Sequence, residues 1–75
     1  MEARRRGRRD PRKWIERVLW LGGDRGLSEN DLLDLADGAG IGRGPVAWEL
    51  VRMRSEHKVT REDLSDGTRR WRLVT

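Results

Sequence analysis

A chain of 75 residues is long enough for one small domain, with a core too small for an enzyme of ordinary complexity. It has no cysteine and a single histidine, which excludes disulfide bridges, thiolate metal sites and most histidine-based zinc sites. No apolar run approaches the ~18 residues of a membrane span, and the arginine-rich start lacks the apolar segment of a signal peptide. We therefore expect a cytoplasmic protein without membrane association, catalytic residues, metal or cofactor.

The 17 basic and 13 acidic side chains give a net charge of +4, but they are unevenly distributed. Residues 1–13 hold seven basic against two acidic side chains, residues 14–37 two against six, and residues 38–75 eight against five. This asymmetry is typical of a protein that turns one face to a polyanion. Residues 1–9 have almost nothing apolar to bury, which predicts a disordered arm that contacts phosphate, or alternatively a solubilising tail. Its cations are Arg4, Arg5, Arg6, Arg8 and Arg9.

The first predicted helix begins at Asp10-Pro11, where the acid caps the helix and the proline takes its first position. Gly22-Gly23 ends it. Trp20 lies outside its apolar stripe, so we expect Trp20 to be covered by the arm or by the end of the chain, or to contact a partner. The stripe itself consists of Trp14, Ile15, Val18, Leu19 and Leu21.

The second predicted helix is short and follows Ser28, which forms a capping box with Asp31. Gly38 or Gly40 ends this helix. Its buried side is formed by four apolar residues, Leu32, Leu33, Leu35 and Ala36. Its outer face carries three acids that would repel phosphate and that lack the ligand spacing of a calcium loop, namely Asp31, Asp34 and Asp37. We therefore interpret this helix as a support for the next one.

A third helix of about residues 44–56 is predicted after a glycine-rich turn. Because a residue before proline disfavours helical geometry, Gly44 is expected to be the N-cap and Pro45 the first helical residue. The buried stripe is Val46, Leu50 and Met53. At about 100° per residue, the opposite side and the turn before it carry Arg43, Trp48, Arg52 and Ser55. The pattern predicts a helix that is buried on one side and presented to a partner on the other.

Two strands are predicted after this helix, at residues 59–61 and 68–74, with a turn at Ser65-Asp66-Gly67. In the second strand Trp71 and Leu73 share a buried face, and arginines alternate with them on the outer side. The arginines of the hairpin are Arg61, Arg69, Arg70 and Arg72. His57 has no carboxylate or nucleophile partner in the pattern, and we interpret it as a left-handed residue after the helix rather than a catalyst.

Three helices followed by an arginine-rich hairpin resemble the winged helix-turn-helix family. Two segments are similar to the start of the recognition helix and to the closing strand of its transcriptional regulators, Ile41-Gly42-Arg43-Gly44-Pro45-Val46 and Arg70-Trp71-Arg72-Leu73-Val74-Thr75. The resemblance covers residues 10–75 and implies an α+β fold, a three-helix winged helix-turn-helix with a C-terminal two-stranded β-hairpin wing. His57 stands where the family usually has glycine, Trp48 replaces a polar residue, and the extra dimerisation helix of many regulators is lacking.

The resemblance implies duplex DNA binding and transcription regulation, with the third helix in the major groove and the wing on the flanking backbone. Carried over position by position, it places Arg43, Gly44, Trp48 and Arg52 at the groove and Arg69 and Arg70 on the wing. From their charge and position we add to the predicted DNA contacts Ser55, Arg61, Arg72 and the five arm arginines. A prokaryotic protein of this kind would be associated with the nucleoid. Two alternatives are open. The module could dock to a protein partner or a second copy through Trp20 or Trp48, or bind single-stranded DNA or RNA by stacking on these tryptophans.

Overall fold

The computed structural model describes residues 10–74, which form three α-helices and a three-stranded antiparallel sheet. The predicted α+β class is confirmed, and the predicted arm lies outside the described residues. The elements in chain order are α1 (Pro11–Gly22), one turn of 3₁₀-helix (Gly23–Arg25), β1 (Leu27–Ser28), α2 (Glu29–Gly38), α3 (Arg43–Ser55), β2 (Val59–Asp63) and β3 (Arg69–Leu73).

The ends of α1 and α2 follow their local sequence signals. The Asp10 carboxylate accepts hydrogen bonds from the backbone N–H groups of Arg12, at 2.9 Å, and Lys13, at 3.4 Å. Gly23, at φ 68°, ends α1. The Ser28 hydroxyl accepts from the backbone N–H of Asp31 at 3.2 Å. Both predicted N-caps are therefore confirmed.

The start of α3 differs from the prediction by two residues. Gly42 is the N-cap at φ 99°, the helix begins at Arg43, and Pro45 is its third residue. Proline is tolerated here because the first four N–H groups of a helix have no intrahelical acceptor. Gly44 adopts helical geometry before proline because it lacks the Cβ that would contribute to the clash. The prediction that Gly44 caps the helix was wrong.

The core lies where the three helices meet the inner face of the sheet, and α3 contacts α1, α2 and β2. Nine residues between 10 and 74 are buried apolar residues: Ile15, Leu19, Leu32, Ala36, Val46, Leu50, Met53, Val59 and Trp71. Leu21 and Leu35 were wrongly assigned to the core, since they are 77% and 50% exposed. Leu21 lies six positions after Ile15, about 240° around the helix, and Leu35 lies at the margin of its stripe.

The sheet has one more strand than the predicted two-stranded wing. Its order is β1-β3-β2, and Leu27 of β1 pairs with Trp71 at the centre of β3. On the other side β3 pairs with β2, where Val59 lies opposite Leu73. A strand of two residues is too short to show an alternating pattern, and the same residues carry the N-cap signal of α2. The hairpin is therefore the larger part of a three-stranded sheet.

Gly26 allows β1 to approach β3 closely, and its replacement by alanine is expected to destabilise the fold strongly. A Cβ at Gly26 would overlap the carbonyl oxygen of Trp71 and the Cγ of Arg72. Gly23 is a matched control, because its φ of 68° is close to the 69° of Gly26 but no atom lies within 4 Å of its Cβ position. Both variants should lose roughly 1–3 kcal/mol, because a positive φ with an extended ψ is a conformation that essentially only glycine adopts. Urea unfolding should show a clearly larger loss for Gly26→Ala, and equal losses would contradict the close approach.

The connections on either side of β2 confirm two local predictions. His57 has a φ of 62°, as expected for a left-handed residue after a helix. In the hairpin turn the Asp66 carboxylate accepts from the backbone N–H and the hydroxyl of Thr68, at 3.0 and 2.6 Å. The hydroxyl bond, with the backbone bond second, lowers the pKa of Asp66. Gly67, at φ 90°, completes the turn.

Candidate nucleic-acid interface

The exposed face of α3 is more apolar than its arginines suggest. Trp48 is 67% exposed and Val51 58% exposed, while Val46, Leu50 and Met53 on the opposite side are buried. The predicted buried stripe is thus confirmed, and so is the outward position of Trp48. The centre of the exposed face follows the spacing i, i+4, i+7, i+11 and consists of Gly44, Trp48, Val51 and Ser55.

Arg12 of α1 binds both carboxylates at the side of α3 that faces α1. Its Nε donates to Glu49 Oε2 at 2.7 Å, and its Nη1 and Nη2 donate to Glu56 Oε1 and Oε2 at 2.8 and 3.1 Å. The hydrogen bond from Arg12 lowers the pKa of Glu56, and the two carboxylates raise the pKa of Arg12. Glu49 is turned inward, with 14% of its side chain exposed. Glu56 keeps 40% of its side chain exposed. Both carboxylates lie on the side that faces α1, so neither is at the centre of the outward face of α3.

Arg12 was missed in the sequence because its partners are 37 and 44 positions away. No local pattern joins an arginine in the first turn of one helix to two glutamates in a third helix. Pairings at such a distance depend on how α1 and α3 cross, which the periodicity of either helix does not specify.

Both predicted contact arginines of α3 are exposed but ion-paired. Arg43 donates to Asp34 of α2, and Arg52 Nη1 lies 3.8 Å from Glu49 Oε1. Exposed ion pairs of this kind contribute little free energy, so a phosphate could replace either carboxylate. The Ser55 hydroxyl donates to the backbone oxygen of Arg52 at 2.8 Å. These polar groups are therefore near the surface of α3 but already have partners.

The four hairpin arginines do not form one surface. Arg61 lies opposite Trp71 and shares its face, half-buried, with its Nε 3.2 Å from Asp63 Oδ1 in a pair without good hydrogen-bond alignment. Arg69 is on the same face, and its Nη1 lies 3.5 Å from Glu29 Oε2. The remaining two, Arg70 and Arg72, point to the opposite face by strand alternation. Strand alternation predicted this outward position for Arg70 and Arg72, and contact of the four arginines with DNA stays a prediction.

Four cations near the end of α3 and on β3 have no acidic partner among the described residues, and two of them, Arg70 and Arg72, were predicted to contact DNA. Among residues 10–74, no carboxylate lies within 4.0 Å of Arg54, Lys58, Arg70 or Arg72. Arg54 and Lys58 are exposed at the end of α3 and just after it. With Arg52 they place positive charge at the negative end of the helix dipole, which is a favourable position for cations. The signal for them in the sequence was the basic ending of the helix.

Trp20 is 70% exposed, so the end of the chain, described up to Val74, does not cover it. Two surface grooves border it, and Leu73 and Val74 line both. The arm, which was the other expected cover, lies outside the described residues. A partner contact at Trp20 stays a prediction.

The chain matches no family model, no curated protein and no solved structure. Within residues 10–74, no helix is long and apolar enough to cross a membrane, and no three His, Asp or Glu side chains are grouped as metal ligands. The function is therefore inferred from the residues themselves.

Replacing Arg12 with glutamine is expected to lower stability more at pH 7 than at pH 3. The pKa of Glu56 in the folded protein is below its ordinary value of 4.5, so the pair stabilises the fold above pH 4.5, and this contribution is lost as pH falls. Urea unfolding at both pH values measures the difference. Arg25→Gln is the matched control, because Arg25 is exposed and has no ion pair within the described residues. The same pH dependence in Arg12→Gln and wild type would contradict the assignment.

Proposed function

We propose that this chain is a winged helix-turn-helix module that binds double-stranded DNA, with α3 in the major groove and the β2–β3 hairpin as the wing. The observation that supports this most directly is the charge of α3. Arg12 engages Glu49 and Glu56 on the side that faces α1, while Arg52 and Arg54 flank an outward face that has no acid at its centre. A cationic helix face with no competing acid suits a phosphate backbone.

The connection between α2 and α3 supports the helix-turn-helix part of the proposal. Only residues 39–42 separate the two helices, and Gly40 and Gly42 have φ angles of 82° and 99°. The backbone N–H groups of Ile41 and Gly42 both donate to the carbonyl of Ala36, at 3.0 and 3.1 Å. A short glycine-bearing turn of this kind is the usual link in such a motif.

The arm would add to the same surface. The chain enters the described domain at Asp10, two residues before Arg12, and Arg12 is bonded to Glu49 of α3 and to Glu56, the C-cap of α3. Five arginines attached at this point would start beside the proposed DNA-binding helix. Contacts of this kind increase affinity without distinguishing base sequences.

A protein-docking function is the second candidate, and one observation favours it. Trp48 and Val51 expose 67% and 58% of their surface on α3, and exposed tryptophan is a frequent interface anchor. The partner would be another protein or a second copy of this chain. Single-stranded DNA or RNA, with the tryptophans as stacking platforms, is a further outcome of the test below.

The test is a competition experiment at fixed salt between duplex DNA, single-stranded DNA and RNA of the same sequence. We expect the duplex to compete best. The double variant Arg52→Gln/Arg54→Gln should reduce the slope of log affinity against log salt by about 1.8, the value for two lost phosphate contacts. Arg17→Gln/Arg25→Gln removes the same charge from α1 and the 3₁₀ turn instead of α3, and should leave the slope nearly unchanged. Equal effects of the two pairs, or better competition by single strands, would reject the proposal.

A further inference from the structure

We propose that the exposed face of α3 recognises the C5-methyl groups of thymine, with Trp48 and Val51 as the contacting side chains. This inference rests on the proposed function, because it requires α3 to lie in the major groove. The charge of the helix attracts any phosphate backbone, whereas a methyl contact distinguishes thymine from the other bases.

The geometry of the face is that of an apolar contact surface. Trp48 and Val51 are three positions apart, so they lie about 60° from each other around the helix and one turn apart along it. They are 67% and 58% exposed, which leaves most of both side chains available to a ligand. Next to them, Gly44 has no atom within 4 Å of its Cβ position, so a ligand can approach the backbone there.

The polar groups that could bind base edges already have partners on the protein. Arg43 donates to Asp34, Arg52 Nη1 lies 3.8 Å from Glu49 Oε1, and the Ser55 hydroxyl donates to the Arg52 backbone at 2.8 Å. Each of these groups keeps free donors or acceptors, but a contact on the protein orients it, whereas Trp48 and Val51 are largely exposed. In the major groove the thymine methyl is the apolar group, and it is absent from the other three bases.

The charge around this face favours DNA over a protein partner. Arg52 lies beside Trp48 and Val51, and Arg54 follows on the same helix without an acidic partner among residues 10–74. Glu49, the acid within α3, is turned towards Arg12 with 14% of its side chain exposed. An apolar centre bordered by cations and without acids matches thymine methyls between two phosphate backbones.

The experiment compares two duplexes of alternating A·T pairs, one with thymine and one with deoxyuridine at every thymine position. Deoxyuridine lacks only the methyl group, so phosphates and hydrogen-bonding edges are retained. Burying one methyl group corresponds to about a fourfold gain in affinity, and two to about fifteenfold. We expect the wild-type protein to bind the thymine duplex four- to fifteenfold more tightly. On an alternating G·C duplex, 5-methylcytosine in place of cytosine should increase affinity, because it places a methyl group at the same groove position.

Variants then assign the effect to the face. Trp48→Gln and Val51→Ser should reduce the thymine-to-deoxyuridine ratio towards one, and Trp20→Gln should keep it. Trp20 is a matched control, because it is a tryptophan with 70% exposure that lies on α1. Since all three side chains are exposed, the variants should remain folded, which circular dichroism checks.

The outcomes separate this inference from the function on which it rests. Tight binding to both duplexes with a ratio of one overturns methyl recognition and leaves DNA binding intact. A ratio that Trp48→Gln does not change also overturns it. If no duplex is bound, the proposed function and this inference both fail. If wild type is a dimer in sedimentation and Trp48→Gln is a monomer that keeps wild-type DNA affinity, the face is a protein interface and the inference is rejected.

Discussion

Trp71→Ala is expected to cost roughly 3–5 kcal/mol of unfolding free energy, which is typical when a large buried aromatic residue is truncated. Trp71 is 3% exposed and lies in the central strand, opposite Leu27 of β1 and Arg61 of β2. Its Nε1 donates to Glu29 Oε1 at 3.0 Å, so the side chain also links the sheet to the first turn of α2. The loss approaches the ~5 kcal/mol total stability of a marginal small domain. Thermal and urea unfolding should show a variant with little residual stability, which begins to unfold near room temperature.

Two further variants distinguish the causes of this loss. Trp71→Phe keeps most of the ring volume and removes the hydrogen bond to the Glu29 carboxylate, so we expect it to cost roughly 1.5–3 kcal/mol. Trp48→Ala removes the same side chain from an exposed position and should change stability by less than about 0.5 kcal/mol. A melting temperature of Trp71→Ala close to that of wild type would mean that the sheet does not close the core.

Removal of residues 1–9 is expected to weaken DNA binding strongly at low salt. The loss of affinity at 50 mM salt should be roughly two orders of magnitude larger than the loss at 200 mM. The segment holds five arginines and Glu2, and without it residues 10–75 carry twelve basic and twelve acidic side chains, a net charge of zero. Each phosphate contact contributes about 0.9 to the slope of log affinity against log salt, so four contacts contribute about 3.6. Between 50 and 200 mM salt this is a factor of about 150. Any preference for a base sequence should remain, because phosphate contacts do not specify sequence.

The measurement is a salt titration of the full and shortened chains on one duplex. A full-length variant with the five arm arginines changed to lysine should keep most of the salt slope, because the charge is retained. A second variant with the same residues changed to serine should behave like the shortened chain. Parallel slopes for full and shortened chains would show that the arm is only a solubilising tail.

The N-caps of α1 and α2, the hairpin turn and the buried stripe of α3 could be predicted because each depends on neighbouring residues. Asp10 and Ser28 bind backbone N–H groups two or three positions away, and His57 takes left-handed geometry where the chain leaves α3. The spacing of Val46, Leu50 and Met53 follows from the helical period alone. Trp71 was assigned to the core from strand alternation, and its 3% exposure confirms this.

The third strand and the charge of the α3 surface could not be predicted, because both depend on residues that are distant in sequence. β1 exists because Gly26 lets Leu27 pair with Trp71, which lies 44 positions later. Arg12 pairs with Glu49 and Glu56 only once α1 has packed against α3. Periodicity shows which side of a helix is apolar, but it does not show which neighbour covers the other sides. Local backbone chemistry thus accounts for the elements themselves, and the packing of α1, α2 and β2 against α3 accounts for the surface from which the function is inferred.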